Sequence, residues 1–258
     1  MFPAMRNPLP ASCAAAVLLC GVWAGRALAE ESPNLNLEQA RARLVQPTVT
    51  FMLDFPRTRP EHFSITVDST GTAVYESRDA ISTADAASTD EERPPEERYL
   101  ITLQLSSSAR SQIFETARRL NYFQGDFDYR KHRIAQMGRK TLIWESGKDR
   151  FATTYNWSEN GLIDDLTHLF QAISNTQEYG RRLASLRRHD KLGLEAELKS
   201  MEEAAKDGRT GLAELHTIEP LLRSLAQDRA VMDIARQRAQ RLLRKAEAAP
   251  RSPAPSSP

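Results

Sequence analysis

The side chains that could hold a metal, move a proton or attack an electrophile are sparse in this chain. Five histidines, His62, His132, His168, His189 and His216, are scattered along it. None has the His-x-His or His-Glu-x-x-His spacing that aims two imidazoles at one ion. The densest group is Asp126, Asp128 and His132, in the run Gly125-Asp126-Phe127-Asp128-Tyr129-Arg130-Lys131-His132. Two carboxylates two residues apart can hold a hard cation on a loop. No Gly and Glu follow at calcium-loop positions, however, and Arg130, Lys131 and Arg133 would repel the ion. The expectation is a solvated loop without a metal, with Tyr129, Arg130 and His132 as candidate binding residues.

Other catalytic patterns are equally thin. A nucleophilic serine needs a positioning motif, and neither Gly-x-Ser-x-Gly nor Ser-x-x-Lys occurs. Ser106-Ser107-Ser108 reads as a helix start. Paired carboxylates for glycoside chemistry need only spatial adjacency, so the sequence leaves them open. Trp144 and Trp157, expected on neighbouring hairpin strands, are read as core or sheet-face residues rather than a sugar platform. No Gly-rich phosphate loop of either common type occurs, and no cofactor is expected. Asn156-Trp157-Ser158 fits the glycosylation sequon at a strand end. Arg181-Arg182 and Arg187-Arg188 recur at helical spacing and offer a basic face to an acidic partner, with Arg181 and Arg182 as candidates. Glu178 and Asp190 beside them suit a solvated helix face equally well.

The elements that must position these residues fall into two textures. Val49 to Phe55 reads as a strand, and Phe63, Ile65 and Val67 alternate with Ser64, Thr66 and Asp68. Ser69-Thr70-Gly71 turns the chain into a partner strand, Thr72 to Glu76. Residues 78–98, rich in Ala, Ser, Thr, Asp and Glu with Pro94-Pro95, read as a flexible surface loop. Tyr99, Ile101, Leu103 and Leu105 alternate again. Ser106 or Ser107 caps a helix with Ile113, Phe114, Ala117 and Leu120 on one face. Thr141–Glu145 and Arg150–Asn156 flank Ser146-Gly147-Lys148-Asp149 as a second hairpin. Asn160 then caps a helix carrying Leu162, Ile163, Leu166, Leu169, Phe170 and Ile173 in register, and Asp164 and Asp165 suit its positive end. The fold class is α+β: an antiparallel sheet of hairpins with helices packed on one face, followed by a mostly helical C-terminal region.

Residues 46–175 are therefore expected to form the α+β domain and 176–247 the helical region. Before them stand a signal peptide (1–29) and a polar leader (30–45); after them comes a Pro/Ser tail (248–258). The signal reading rests on Arg6, the apolar stretch Ala14–Leu19 and the small-x-small site Ala27-Leu28-Ala29. Cys20 lacks the small preceding residue of a lipidated cysteine. Export makes the protein periplasmic or extracellular. Cys13 and Cys20 both lie in the segment removed, which excludes disulfides, thiol catalysis and a Cys-ligated zinc from the mature chain.

The chain has 258 residues, 40% of them apolar, with 35 basic against 34 acidic side chains. Mean hydropathy is −0.52. This balance excludes a membrane bundle and a nucleic-acid binder driven by bulk charge. Charge is uneven, with 17 basic and 22 acidic residues over 30–175 but 16 and 12 over 176–258.

The run Ile218-Glu219-Pro220-Leu221-Leu222, Leu225, Asp228, Val231, Ala235, Ala239, Leu242-Leu243 resembles a single HEAT-type helical repeat over residues 212–246. The hairpin region 46–175 is similar to small secreted α+β domains of unknown function. HEAT repeats stack in threes or more as protein-binding scaffolds, and one copy is matched by any amphipathic helix pair docked on a neighbouring domain. The reading is an exported, non-catalytic binding or interaction module, with a protein partner, no nucleic acid and no transmembrane segment in the mature chain. The alternatives are an exported hydrolase whose acidic residues meet only in the fold, and an inhibitor or chaperone-like domain presenting an aromatic sheet face.

Overall fold

A computed structural model describes residues 46–79, 98–208 and 211–248. Residues 1–45, read from the sequence as signal peptide and polar leader, lie outside them, as do residues 80–97 of the loop, 209–210, and 249–258 of the tail.

Six strands make one antiparallel sheet: β1 (Thr48–Asp54), β2 (His62–Asp68), β3 (Thr72–Arg78), β4 (Arg98–Gln104), β5 (Arg139–Ser146) and β6 (Asp149–Tyr155). Their order is β4-β3-β2-β1-β5-β6, so the β5–β6 hairpin joins the free edge of β1. Period-two alternation sorts the two faces. Val49, Phe51 and Leu53 lie opposite Val67, Ile65 and Phe63 on one side and opposite Trp144, Leu142 and Lys140 on the other. The outward face carries Thr50 bonded to Thr66 at 3.0 Å and Thr141 bonded to Thr154 at 3.1 Å. It bears no Phe, Tyr or Trp at any outward strand position.

Helices cover the inward face. α1 (Ser107–Arg119) starts at Ser106, whose Oγ accepts the Ala109 N–H at 3.1 Å. α2 (Gly161–His189) starts at Asn160, whose Oδ1 accepts the N–H groups of Leu162 and Ile163. Ile113 and Ala117 of α1 and Ile163, Leu166, Phe170 and Ile173 of α2 close over the sheet. The Phe51 and Phe170 rings stack at 5.1 Å. Burying each such side chain stabilises by about 1.5–3 kcal/mol.

The cap-forming residues Ser174, Asn175 and Thr176 and the helix-weakening Gly180, packed against Ile218, do not end the helix, and α2 runs on for 29 residues, straight through position 176. Its second half packs with α3 (Gly193–Ala204), α4 (Glu219–Gln227) and α5 (Asp233–Ala248) around Leu183, Leu198, Met201, Leu222, Leu225, Ala235 and Leu242. Ile234 faces solvent rather than this core, because α5 starts at Asp233 and turns Ala235 and Ala239 inward instead.

The helical region docks on the sheet through polar as well as apolar contacts. Buried Glu178 accepts Tyr75 Oη–H at 2.7 Å, Ser77 Oγ–H at 2.6 Å and Arg181 Nε–H at 3.0 Å. Glu214, before α4, accepts from Ser106 N–H and Oγ–H. No helix among the described residues is long and apolar enough to cross a membrane.

Candidate functional site

The β5–β6 edge of the sheet and the first turns of α2 border a half-open cavity of about 510 Å³. Phe55, Met137, Tyr155, Trp157 and Ile163 supply apolar walls, and Lys140, Ser158, Asp164, Thr167 and His168 supply polar groups. The volume and this mix of walls suit a small molecule.

Lys140 is the unusual member. Strand alternation puts it on the inward face with Leu142 and Trp144, and only 5% of it is exposed. Its ammonium donates to the Met137 carbonyl at 2.8 Å and the Asn156 carbonyl at 2.7 Å, and less closely to Gly138 at 3.4 Å. Burial pushes the amine down to about 8, against the opposing pull of the Asp164 carboxylate. Tyr155 Oη–H donates to Thr167 Oγ1 at 2.5 Å, whose own hydrogen goes to the Ile163 carbonyl at 2.6 Å, and burial drives the Tyr155 phenol well above the ordinary range.

Asp164 and His168 sit one turn apart on α2, where the i,i+4 spacing faces them together. His168 Nδ1 lies 3.6 Å from Asp164 Oδ2, too far for a hydrogen bond, and is buried without a hydrogen-bond partner. Asp164 is the one carboxylate in the lining, so the paired acids of glycoside chemistry are not assembled there.

Asn156 holds the rim. Its Oδ1 accepts Met137 N–H at 2.7 Å, its Nδ2 donates to the Ala135 carbonyl at 2.9 Å, and its own N–H donates to Asp128 Oδ1 at 2.9 Å. The sequon nitrogen is thus engaged within the fold. Gly138, at φ +86°, lets the chain pass Leu53 and Phe55 into β5: a Cβ there would lie 2.8 Å from Leu53 Cδ1.

The candidate loop borders this cavity. Trp157 lies just beyond β6 rather than on a strand, and Tyr129 meets it edge-on at 5.0 Å while donating its N–H to the Trp157 carbonyl. A second depression of about 560 Å³, lined by residues 126–131 and 158–160, shares Ser158 with the first. Arg130 pairs with Asp126 at 3.0 Å and Asp128 at 3.6 Å, and exposed His132 stands 6.2 Å from the Tyr129 ring. Among the described residues no group of three or more His, Cys, Asp or Glu is placed to hold a metal.

Arg181 and Arg182 are not brought to this site. Arg181 closes the sheet–helix junction, pairing with Glu178 and with Asp79 at 2.5 Å beside the Tyr99 ring. Arg182 pairs with Glu197 at 2.6 Å and lies over the Tyr179 ring at 4.5 Å.

The sequence reading missed Lys140, Asp164 and His168 as a group. Two signals were available: a lysine in the inward register of a strand, and an Asp-x-x-x-His pair on a helix face.

The chain matches no protein-family model and no curated protein sequence.

Proposed function

We propose that this protein is an exported binding protein whose ligand is a small molecule held in the cavity between β5, β6 and α2. The observation that carries the reading is one half-open cleft combining aromatic walls with a buried lysine, a carboxylate and an imidazole. Lys140 and Asp164 offset each other's charge, so the best-suited ligand has a flat apolar body and an uncharged polar end. Trp157 in the wall provides the readout. The experiment is a small-molecule screen on the full chain by thermal shift and tryptophan emission, repeated on Trp157→Phe. Binders should raise Tm and perturb emission in the wild type, with the emission change lost in the variant. A screen in which no ligand does both counts against the cavity.

A second reading keeps a protein partner on the helical region, in line with the HEAT-like helix pair. Its support is exposed apolar surface at helix starts: Leu192 is 77% exposed, Met232 45% and Ile234 46%. These precede or open α3 and α5, which are joined side by side through Glu195 and Arg238. Truncation at 175 would cut α2 and remove Glu178, so Leu192→Asp with Ile234→Asp is the sound probe. Loss of a crosslinked envelope partner in that variant, with Tm unchanged, would favour this reading.

A further inference from the structure

The chain has seven lysines. Lys131, Lys148, Lys191, Lys199, Lys206 and Lys245 are exposed, and Lys140 alone is buried. Lys140 is also the lysine that lines the cavity, together with Asp164 and His168. A ligand end with full charge would find no net complement there, whereas a carbonyl would meet both a nitrogen nucleophile and groups able to move its protons.

We propose that Lys140 captures an aldehyde or ketone as a covalent imine, a chemistry that rests on the cavity being a small-molecule site. Two of its three hydrogen bonds are short, at 2.7 and 2.8 Å to the Asn156 and Met137 carbonyls, and the third, to Gly138, is 3.4 Å. The free amine keeps the two short bonds with its two hydrogens. With two hydrogens for three acceptors it gives up the long one, and rotation about the Cε–Nζ bond turns the lone pair from the Gly138 carbonyl toward the cavity, where it meets a carbonyl carbon. Attack forms the C–N bond and moves the C=O π pair onto oxygen, and that oxygen takes up the proton the nitrogen releases. A second proton passes from nitrogen to the resulting hydroxyl, water leaves, and the nitrogen lone pair closes the C=N bond. One amine and one carbonyl thus give one imine and one water, with no oxidant or reductant. His168, which lines the same cavity and has an Nδ1 without a hydrogen-bond partner, is the group assigned to carry the protons. The same burial that lowers the amine to about 8 leaves a minor fraction as free base near neutral pH, larger than that of an ordinary lysine, while most of it stays protonated.

The test uses the full chain at neutral pH with benzaldehyde, trapped by cyanoborohydride, and peptide mapping of all seven lysines. Benzyl alcohol, which has the same ring and no carbonyl, reports non-covalent occupancy by saturation transfer from the Phe55 and Trp157 ring protons. The expected result is benzylation of Lys140 exceeding that of any exposed lysine by about tenfold or more. Prior addition of the alcohol should suppress it. Lys140→Arg should abolish it; if that variant does not fold, the wild-type map decides alone. Labelling that follows exposure and spares Lys140 overturns the imine. If the alcohol still contacts Phe55 and Trp157 in that case, the cavity stands without the covalent step; if it does not, both readings fall together.

Discussion

Replacing Lys140 with Met sets two opposed effects against each other, and their pH dependence separates them. The substitution deletes two short charge-assisted hydrogen bonds and strands the Met137 and Asn156 carbonyls, which are worth about 1.5–3 kcal/mol apiece. It also removes an ammonium whose burial is unfavourable, the cause that lowers the amine from 10.5 to about 8. That shift corresponds to about 3 kcal/mol at about 1.4 kcal/mol per unit. At pH 7 both states of the wild type hold the proton, and the variant is expected to be less stable by a few kcal/mol. The unfolded chain still holds the proton between pH 8 and 10.5, where the folded chain has released it, so the wild type gains stability as pH rises through this window. The gap between wild type and Lys140→Met should therefore widen by about 2 kcal/mol from about pH 7 to about pH 9.5. Urea unfolding of both proteins at the two pH values measures it directly. A gap that stays constant, or narrows, would mean that the folded amine titrates at or above its ordinary value, and the account of this site would be wrong.

Three further outcomes test the surroundings. Glu178→Ala removes the acceptor shared by Tyr75, Ser77 and Arg181. It should cost about 3–5 kcal/mol, and Glu178→Gln about 1–2, in urea unfolding at neutral pH. Asn156→Ala should cost about 2 kcal/mol and release the Met137 amide to fast hydrogen exchange while the amides of α1 keep their protection. Gly138→Ala forces a Cβ against Leu53 at 2.8 Å on a left-handed φ, and should lower stability by more than about 1 kcal/mol, seen as a lower Tm.

The local alphabet of the fold is legible in the sequence. Alternation at Val49–Phe55, Phe63–Val67 and Tyr99–Leu105 marks strands because only one sheet face is buried. Ser106 and Asn160 mark helix starts because their oxygens satisfy otherwise free amides. Strand order is not legible, since nothing local says that Trp144 of β5 will stand beside Val49 of β1. The division placed after residue 175 falls inside α2, because the texture there changes from strand-and-helix to helix alone while the helix runs on through Asn175, Thr176 and Gly180. The site is the least legible part. Lys140 comes from a strand, Trp157 and Ser158 from a connection, and Asp164 and His168 from a helix, and no spacing rule links them. The candidates chosen for charge, Arg181 and Arg182, spend it on Glu178, Asp79 and Glu197 inside the molecule.

α2 belongs to two hydrophobic clusters at once, with Ile163, Leu166, Phe170 and Ile173 in one and Leu183 in the other. A helix of this length is about 43 Å long, at about 1.5 Å per residue. Melting either cluster would leave roughly half of that helix projecting without a partner, and helix segments of that size are marginal alone in water. The shared helix therefore makes each half's folding free energy depend on the other's. Loss of tertiary structure is accordingly expected as one transition rather than two, and a ligand bound beside Asp164 would protect amides as far away as α5 by raising the cost of opening the whole.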